Sequence, residues 1–502
     1  MNKRVLLITE GTYPYNYGGV SNWAHTLCNL TKNIDFHLYS LNSNFENKSK
    51  YQLSPNIKSI TQLPLWTTDH PFDLINYNTS YTSIIEKKFK TTDIIIRNHF
   101  ISHFKSFIKN LISNNCDLEV LEASIYNLYD YFQKYDFDKT LKSLDVWTEF
   151  KVILIEEESL ETLETTTLND ITFSLNWISK ILMTLSIQIP KIDIAHITIT
   201  GSPIIPALIA KKKHGSSILA TEHGVFIREL MIYTNSSTHS FFLKNLMIRS
   251  SKSITKLAFA KADKVVSVNK FNTKWEFNYG LLKEKSKIIY NGVDENKFTF
   301  GEKPKHLKNI PTVVAIARIF SLKDILTMIR TCAYVKKTIP NVQFLVYGDK
   351  NADLEYTQEC NELIKELKLT KNFILAGHHG APHKAFLEGD ISILTSISEG
   401  FPYTVIESMS CGIPVVATDV GGVSEAITES TGFICEPKKF EELGNKVIYL
   451  LQNEDIRLEM GRNARKRVLE NFTIDKIIKS YENLYENLMV KEKTEYYAAQ
   501  LH

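Results

Sequence analysis

Several features that would place the chain in a large functional class are missing. No CxxC pair occurs: the six cysteines, Cys28, Cys116, Cys332, Cys360, Cys411 and Cys435, are scattered through 502 residues. That spacing offers no disulfide framework and reads as buried thiols of a reducing compartment. Long hydrophobic runs are also absent. The apolar run near the N-terminus, Val5 to Ile8, is far too short for a signal peptide, and no later run approaches a membrane span. The expectation is a cytoplasmic protein, with peripheral attachment to the inner face of the membrane left open. An excess of one charge is lacking too, since 59 Lys and Arg face 56 Asp and Glu for a net charge of +3. Without a dense basic stripe carrying interleaved aromatics, nucleic acid is excluded as a partner. There is no GxGxxG and no P-loop.

What is present is strand–helix alternation at two ends of a chain too long for one domain. Arg4 to Thr9 reads as a short buried strand, and the following GTYPYNYGGVSNWAHTL opens a helix at about Gly19 or Val20. Gly18 and Gly19 at this turn let backbone amides approach a ligand where side chains would block them, although a plain tight turn has the same composition. Asp35 to Leu41 is a second strand. From about 51 to 190 the apolar spacing turns helical, in stretches such as Ile101 to Ser113, Leu118 to Tyr135 and Leu160 to Ile187. This segment has no catalytic spacing, and Trp147 and Trp177 in it read as core. Alternation resumes at Ile192 and restarts near Asn296. The predicted layout is therefore a first α/β domain over 1–295 with a helical insertion at about 51–190, a second over 296–472, and a final helix over 473–502 that crosses back to the first, with Lys491 to His502 frayed.

The stretch that organises the second domain is ISILTSISEGFPYTVIESMSCGIPVVATDVGGVSEAI, Ile391 to Ile427. It predicts a strand, a polar loop over Thr395 to Pro402, a helix over Tyr403 to Ser410 and a second strand over Val415 to Thr418. Glu399 follows the carboxyl end of a buried parallel strand, where open α/β sheets bind ligands, and the amides of Gly400 to Tyr403 lie beside a helix start. Glu407 sits within that helix, so two carboxylate acceptors can grip two sets of hydroxyls. Upstream, ARIFSLKD puts Arg318 and Lys323 at another strand-to-helix turn. Arg offers a planar fork and Lys a point charge, together enough to neutralise a diphosphate as its charge grows. His196 at the end of a strand is by composition alone a satisfied structural histidine. TEHGVFIRE, with His223 and Arg228, reads either as a binding loop or as a solvated turn. His378, His379 and His383 lie on a Gly/Pro loop with no carboxylate cluster, so no metal is assigned to them.

The Glu-x7-Glu spacing with Gly400, Phe401 and Pro402, followed by CGIPVVAT, resembles the nucleotide-sugar motif of the retaining GT-B glycosyltransferases of family 4. Together with EGTYPYNYGGVSNWAH, HITITG, TEHGVFIRE, YNGVD and RIFSLKDI, it is similar to the PelF branch, cytosolic transferases of Pel-type exopolysaccharide assembly. The resemblance implies two Rossmann-like doubly wound domains facing a cleft. It implies transfer of a hexose or N-acetylhexosamine from a UDP-sugar to a glycan acceptor, with anomeric retention, no metal and no cofactor, and with a membrane polysaccharide synthase complex as a further partner. It places Arg318 and Lys323 on the diphosphate, Glu399 on the sugar hydroxyls and Glu407 on the ribose. His196 would lie against the transferred sugar, and Gly18, Gly19, His223 and Arg228 would line the substrate cleft. Three positions depart from the pattern: Ala317 and Asp324 stand where the family tends to have glycine, and Phe401-Pro402 where PelF-like chains tend to have Gln-Pro. Two rivals share these residues, a GT-B nucleotide-sugar epimerase and a non-catalytic UDP-sugar-binding subunit.

Overall fold

The computed structural model describes residues 2–45, 48–65, 80–158 and 160–499. The chain divides into two compact units, the first comprising 1–267, 273–287 and 481–502 and the second 268–272 and 288–480.

The first unit is built on a seven-stranded sheet of order β3-β2-β1-β4-β5-β6-β7. Its strands are β1 (Lys3–Glu10), β2 (Ile34–Asn42), β3 (Ile57–Pro64), β4 (Ile194–Ile197), β5 (Ser217–Glu222), β6 (Lys264–Ser267) and β7 (Ser286–Ile288). The pairs β1–β2, β2–β3, β1–β4, β4–β5 and β5–β6 are parallel. Near-continuous apolar runs make such strands: Val5, Leu6, Leu7 and Ile8 are all buried, as a sheet covered on both faces requires. Between β3 and β4 the chain forms helices that include Ile101–Ile112, Leu118–Lys134, Leu144–Glu157 and Leu168–Leu182. Their starts are written in the sequence, since Asp117, Ser143 and Thr167 accept from backbone N–H groups of the first turn, Thr167 within a capping box with Asp170. Phe104, Phe107, Phe132 and Phe150 bury the inner faces in one core with Ile8, Ile197 and Ala220 of the sheet, and Trp147 and Trp177 pack partly buried against it.

One expectation for this region changes. The segment from 51 to 190 is not helical throughout, because Ile57–Pro64 joins the sheet as its edge strand, paired with β2; residues 66–79 and 159 of it lie outside the described residues. Beyond 190, Phe226–Ser236 and the 21-residue helix Phe241–Lys261 belong to the strand–helix alternation expected there.

The second unit repeats the architecture with six strands in the order β10-β9-β8-β11-β12-β13. They are β8 (Thr312–Ile316), β9 (Gln343–Tyr347), β10 (Phe373–Gly377), β11 (Ile391–Leu394), β12 (Val415–Thr418) and β13 (Gly432–Cys435). Every pair is parallel. Both sheets thus place the first and fourth strands of a unit side by side, with the chain running outward in opposite directions from that junction. The carboxyl ends of those two strands form a switch point, where loops diverge and leave a crevice. The final helix, Ile474–Ala499, contributes its residues from Tyr481 onward to the first unit. Its backbone stays helical across the stretch expected to fray, with 500–502 outside the described residues. No helix among the described residues is long and apolar enough to cross a membrane.

Candidate active site

Lys323 follows β8 and Glu399 follows β11, so the two turns meet at the switch point of the second sheet. The Lys323 ammonium donates to Glu399 Oε1 at 2.5 Å, and Ser396 Oγ donates to the same oxygen at 2.6 Å. The turns are stitched together by main chain as well: Ile397 N donates to Leu322 O, and Thr395 Oγ1 lies within donating distance of both Lys323 O and Asp324 O. Lys323 and Glu399 retain 22% and 10% of their side-chain accessibility, so the pair is neither sealed nor freely solvated. Removing one partner would strand the other in a partly dry site. Arg318, on the same turn as Lys323, is exposed, with its guanidinium carbon 5.0 Å from the centre of the Phe320 ring. The junction therefore presents two cations, Lys323 paired with Glu399 and Arg318 with no ion pair among the described residues, and such groups suit a diphosphate.

The two unusual residues of this turn have physical accounts. Asp324 has φ +45°, the left-handed region that glycine enters most cheaply. Here Asp is retained with a cap function: its carboxylate accepts from Thr327 N at 3.2 Å and from Thr327 Oγ1 at 2.7 Å, closing the start of helix Ile325–Thr338. Ala317 keeps its own side chain and receives the close approach elsewhere, since a Cβ on Gly348 would lie 1.8 Å from Ala317 O.

Glu407 lies on helix Tyr403–Ser410, which starts behind Pro402 with no side-chain cap. Its half-buried carboxylate has no hydrogen-bond partner among the described residues. Burial raises its pKa to about 7, opposed by the charge of Lys297. Phe401 and Pro402 take a different place from the one expected of substrate contacts. The Phe401 ring is buried between Tyr290 and Phe472, at centroid distances of 4.9 and 5.2 Å, and Asn291 Nδ2 donates to Phe401 O at 2.8 Å. Pro402, also buried, has no N–H to offer. Their part is to fix the loop, and of residues 400–403 Gly400 and Tyr403 stay half-exposed. Gly400 O accepts from Gly422 N at 2.8 Å, and a Cβ on Gly421, which has φ +57°, would lie 1.9 Å from Glu399 O. Ser396, Thr395, Asn291 and the Gly421-Gly422 pair are the supporting residues that motif spacing did not single out. The signals for them were the Thr-Ser directly after an apolar strand and the Gly-Gly after the next one.

On the histidine loop, His379 Nε2 is 4.0 Å from Glu388 and its ring sits edge-on to Tyr347, whose hydroxyl donates to Glu388. Burial, aided by Lys297 and Lys384, holds His383 below the ordinary histidine pKa.

The switch point of the first sheet is differently furnished. Gly18 precedes the helix Gly19–Leu30, and a Cβ on Gly18 would meet no protein atom within 4 Å, so internal packing does not demand glycine there. His196, expected against the transferred sugar, is instead fully buried. Its Nδ1 is 2.7 Å from the Tyr485 hydroxyl and its Nε2 2.8 Å from Thr221 Oγ1, while Trp23 packs edge-on to its ring at 5.4 Å. Burial lowers its pKa to about 3, and nearby His223 adds to the shift. Both ring nitrogens are occupied by the fold, so in this structure His196 is the satisfied structural histidine and not a sugar contact. Glu222 belongs to the frame too: its carboxyl accepts from Thr200 N at 2.5 Å and Phe226 N at 3.2 Å, and burial pushes its pKa up to about 8. His223 is half-buried against Trp23, with ring centroids 4.6 Å apart and an Nε2 that has no hydrogen-bond partner among the described residues. Arg228 lies in the first turn of Phe226–Ser236. The predicted residues thus fall into two groups, each within one unit: Arg318, Lys323, Glu399, Gly400, Tyr403 and Glu407, and Gly18, Gly19, His196, His223 and Arg228.

Two family models match the chain: "Domain of unknown function (DUF3492)" over residues 3–284 and "Glycosyl transferases group 1" over residues 296–467. N-acetyl-alpha-D-glucosaminyl L-malate synthase of Bacillus anthracis is 26% identical over 318 residues, 61% of this chain and 77% of that enzyme. Trehalose synthase of Thermococcus litoralis is 32% identical over 181 residues, 35% of this chain and 43% of that enzyme. Among solved structures, Alr3699/HepE of Anabaena in complex with UDP and glucose aligns over 96% of this chain and 99% of its own, with a TM-score of 0.59 and 14% identity. That likeness is one of fold, two Rossmann-like parallel-sheet units.

Proposed function

The chain belongs to the DUF3492 family and, with the group 1 glycosyl transferase domain that follows, is a glycosyltransferase of the GT-B fold class; from that premise we propose that it is a retaining enzyme that moves a hexose or N-acetylhexosamine from a UDP-sugar to a growing glycan, in exopolysaccharide assembly of the PelF kind. The observation that carries this reading is the Lys323–Glu399 pair at the switch point of the second sheet, with Arg318 on the same turn. Breaking the bond between the sugar C1 and the β-phosphate oxygen leaves negative charge on that phosphate. Preorganised cations stabilise the charge as it forms, which is where catalysis of this step resides. Lys323 and Arg318 are those cations. Glu399, held by Ser396, accepts from sugar hydroxyls, and Glu407 from the ribose.

In this reading the acceptor hydroxyl oxygen bonds to C1 on the face that the diphosphate leaves, and its proton passes to the departing β-phosphate. Bonds and charge then balance without a protein nucleophile or a metal ion. UDP is the nucleotide of first choice because a protein of the same fold binds UDP and glucose.

The test is a panel of UDP-sugars, ranked by the thermal stabilisation each gives and then assayed for UDP release with and without a glycan acceptor. One donor should stabilise most and release UDP in an acceptor-dependent way, with the product anomer matching the donor. An epimerised donor appearing without acceptor would replace this reading with the epimerase, and stabilisation with no UDP release would replace it with a non-catalytic binding subunit.

A further inference from the structure

The helix Phe241–Lys261 of the first unit carries a second concentration of positive charge that the transfer reaction does not use. Arg249, Lys252 and Lys256 follow one another at spacings of three and four, which puts them on one face. They line a cavity of about 380 Å³ whose opposite wall includes Trp275, Asn278 and Tyr279. All of these residues belong to the first unit, whereas Arg318, Lys323 and Glu399 belong to the second.

Several other lysines of this unit are paired. Lys105 pairs with Glu149, Lys109 with Glu156 and Lys212 with Asp130, and Lys261, on the same helix, pairs with both Glu119 and Glu122. Lys252 and Lys256, which line the cavity, have no ion pair or hydrogen bond among the described residues. Arg249 pairs with Glu158 through one nitrogen only, and its buried Nε donates to no acceptor among the described residues. A buried donor without a partner is unfavourable. Like charges one turn apart on a helix add to the cost, so the fold alone does not account for the arrangement.

We propose that this cavity is a binding site for a phosphorylated sugar, with Arg249, Lys252 and Lys256 holding the phosphate and Trp275 and Tyr279 the ring. The volume falls in the range of small-ligand sites. The two unpaired lysines match the charge of a dianionic phosphate as point charges, and Arg249, already paired with Glu158, offers its free Nε. Aromatic faces suit the apolar side of a pyranose, and Asn278 supplies both a donor and an acceptor for its hydroxyls.

Glucose 6-phosphate, glucose, inorganic phosphate and phosphatidylglycerol vesicles separate the sources of such an anion. Calorimetric titration of the full chain should give binding to glucose 6-phosphate at least tenfold tighter than to inorganic phosphate, and none to glucose. The Lys252→Gln/Lys256→Gln variant should lose that binding by at least tenfold while its thermal stabilisation by UDP is unchanged. Lys256→Gln alone serves the same purpose, with a smaller loss, if the double variant melts early. Equal affinity in wild type and variant would overturn the assignment, as would inorganic phosphate binding as tightly as the sugar phosphate. Sedimentation with the vesicles that the double variant abolishes would transfer the site to a lipid headgroup and overturn it equally.

Discussion

The two sheets share a strand order, yet their switch points have been put to opposite uses. In the second unit the turns after β8 and β11 bring Lys323 and Glu399 together with solvent still reaching both, and leave the Arg318 guanidinium exposed. In the first unit the corresponding junction of β1 and β4 is closed from within. Ser202 donates to Glu10 across it, and Tyr485, from the last helix, takes up His196. Position at a strand end therefore does not by itself make a residue a ligand contact. The deciding quantity is how much of its hydrogen-bonding capacity the fold has already consumed: both nitrogens of His196 are used, whereas the Glu407 carboxylate accepts nothing among the described residues.

The sharpest way to break that contrast is to remove charge from the open junction. Lys323→Ala should lower the turnover of UDP-sugar by about 10²–10³, or about 2.7–4 kcal/mol of transition-state stabilisation, and Arg318→Ala should act in the same direction. Melting temperature should fall little for Arg318→Ala, since the side chain is exposed. For Lys323→Ala some loss of stability is expected, because Glu399 is left beside Ser396 without its cation. Steady-state rates for both variants decide the matter, and near-normal kinetics in either would remove the catalytic role given to this turn.

The closed junction predicts the reverse division between stability and rate. His196→Ala deletes a buried ring and leaves the hydroxyls of Tyr485 and Thr221 without that partner, a loss of about 2–5 kcal/mol by the usual cost of a core cavity with unpaired polar groups. Denaturant unfolding should show it, with turnover per folded molecule close to wild type below the melting transition. A variant that melts like the wild type but turns over a hundredfold more slowly would return His196 to the sugar.

The sequence discloses the open junction better than the closed one, and the reason is local. Arg318, Lys323, Glu399 and Glu407 are charged residues beside short apolar strands, and the strand-to-helix turns that present them can be read over a few residues. The occupancy of His196 depends on Tyr485, 289 positions away, and no local pattern announces that partner. The same distance effect hides the burial of Phe401 between Tyr290 and Phe472 and the role of Asn291. Helices such as Leu118–Lys134 were legible from apolar spacing. The edge strand Ile57–Pro64 was not, because it is only partly buried and its burial alternates poorly. Asp324 is a middle case, in which a residue standing at a glycine position proved to hold the left-handed conformation and to use its carboxylate as a cap.

The smallest effect expected from the comparison is also the most selective. Glu407 has its pKa raised to about 7 by burial, so below that pH it is largely protonated. A neutral carboxyl keeps one acceptor and gains a donor, whereas the ionised form accepts through both oxygens, as a ribose diol requires. Ribose binding therefore favours proton release, and affinity should rise as pH rises through about 7. Between pH 6 and pH 8 the ionised fraction of a group titrating at about 7 grows by about tenfold, which sets the size of the change. Uridine is the probe of choice, because it lacks the phosphate groups whose own titration would overlap. Its dissociation constant should fall by up to about tenfold over this interval in the wild type, and Glu407→Gln should bind more weakly with little dependence on pH. A pH-independent wild type would mean that the one open carboxylate of this helix faces something other than the nucleoside, and would narrow the difference between the two junctions to Lys323, Glu399 and Arg318.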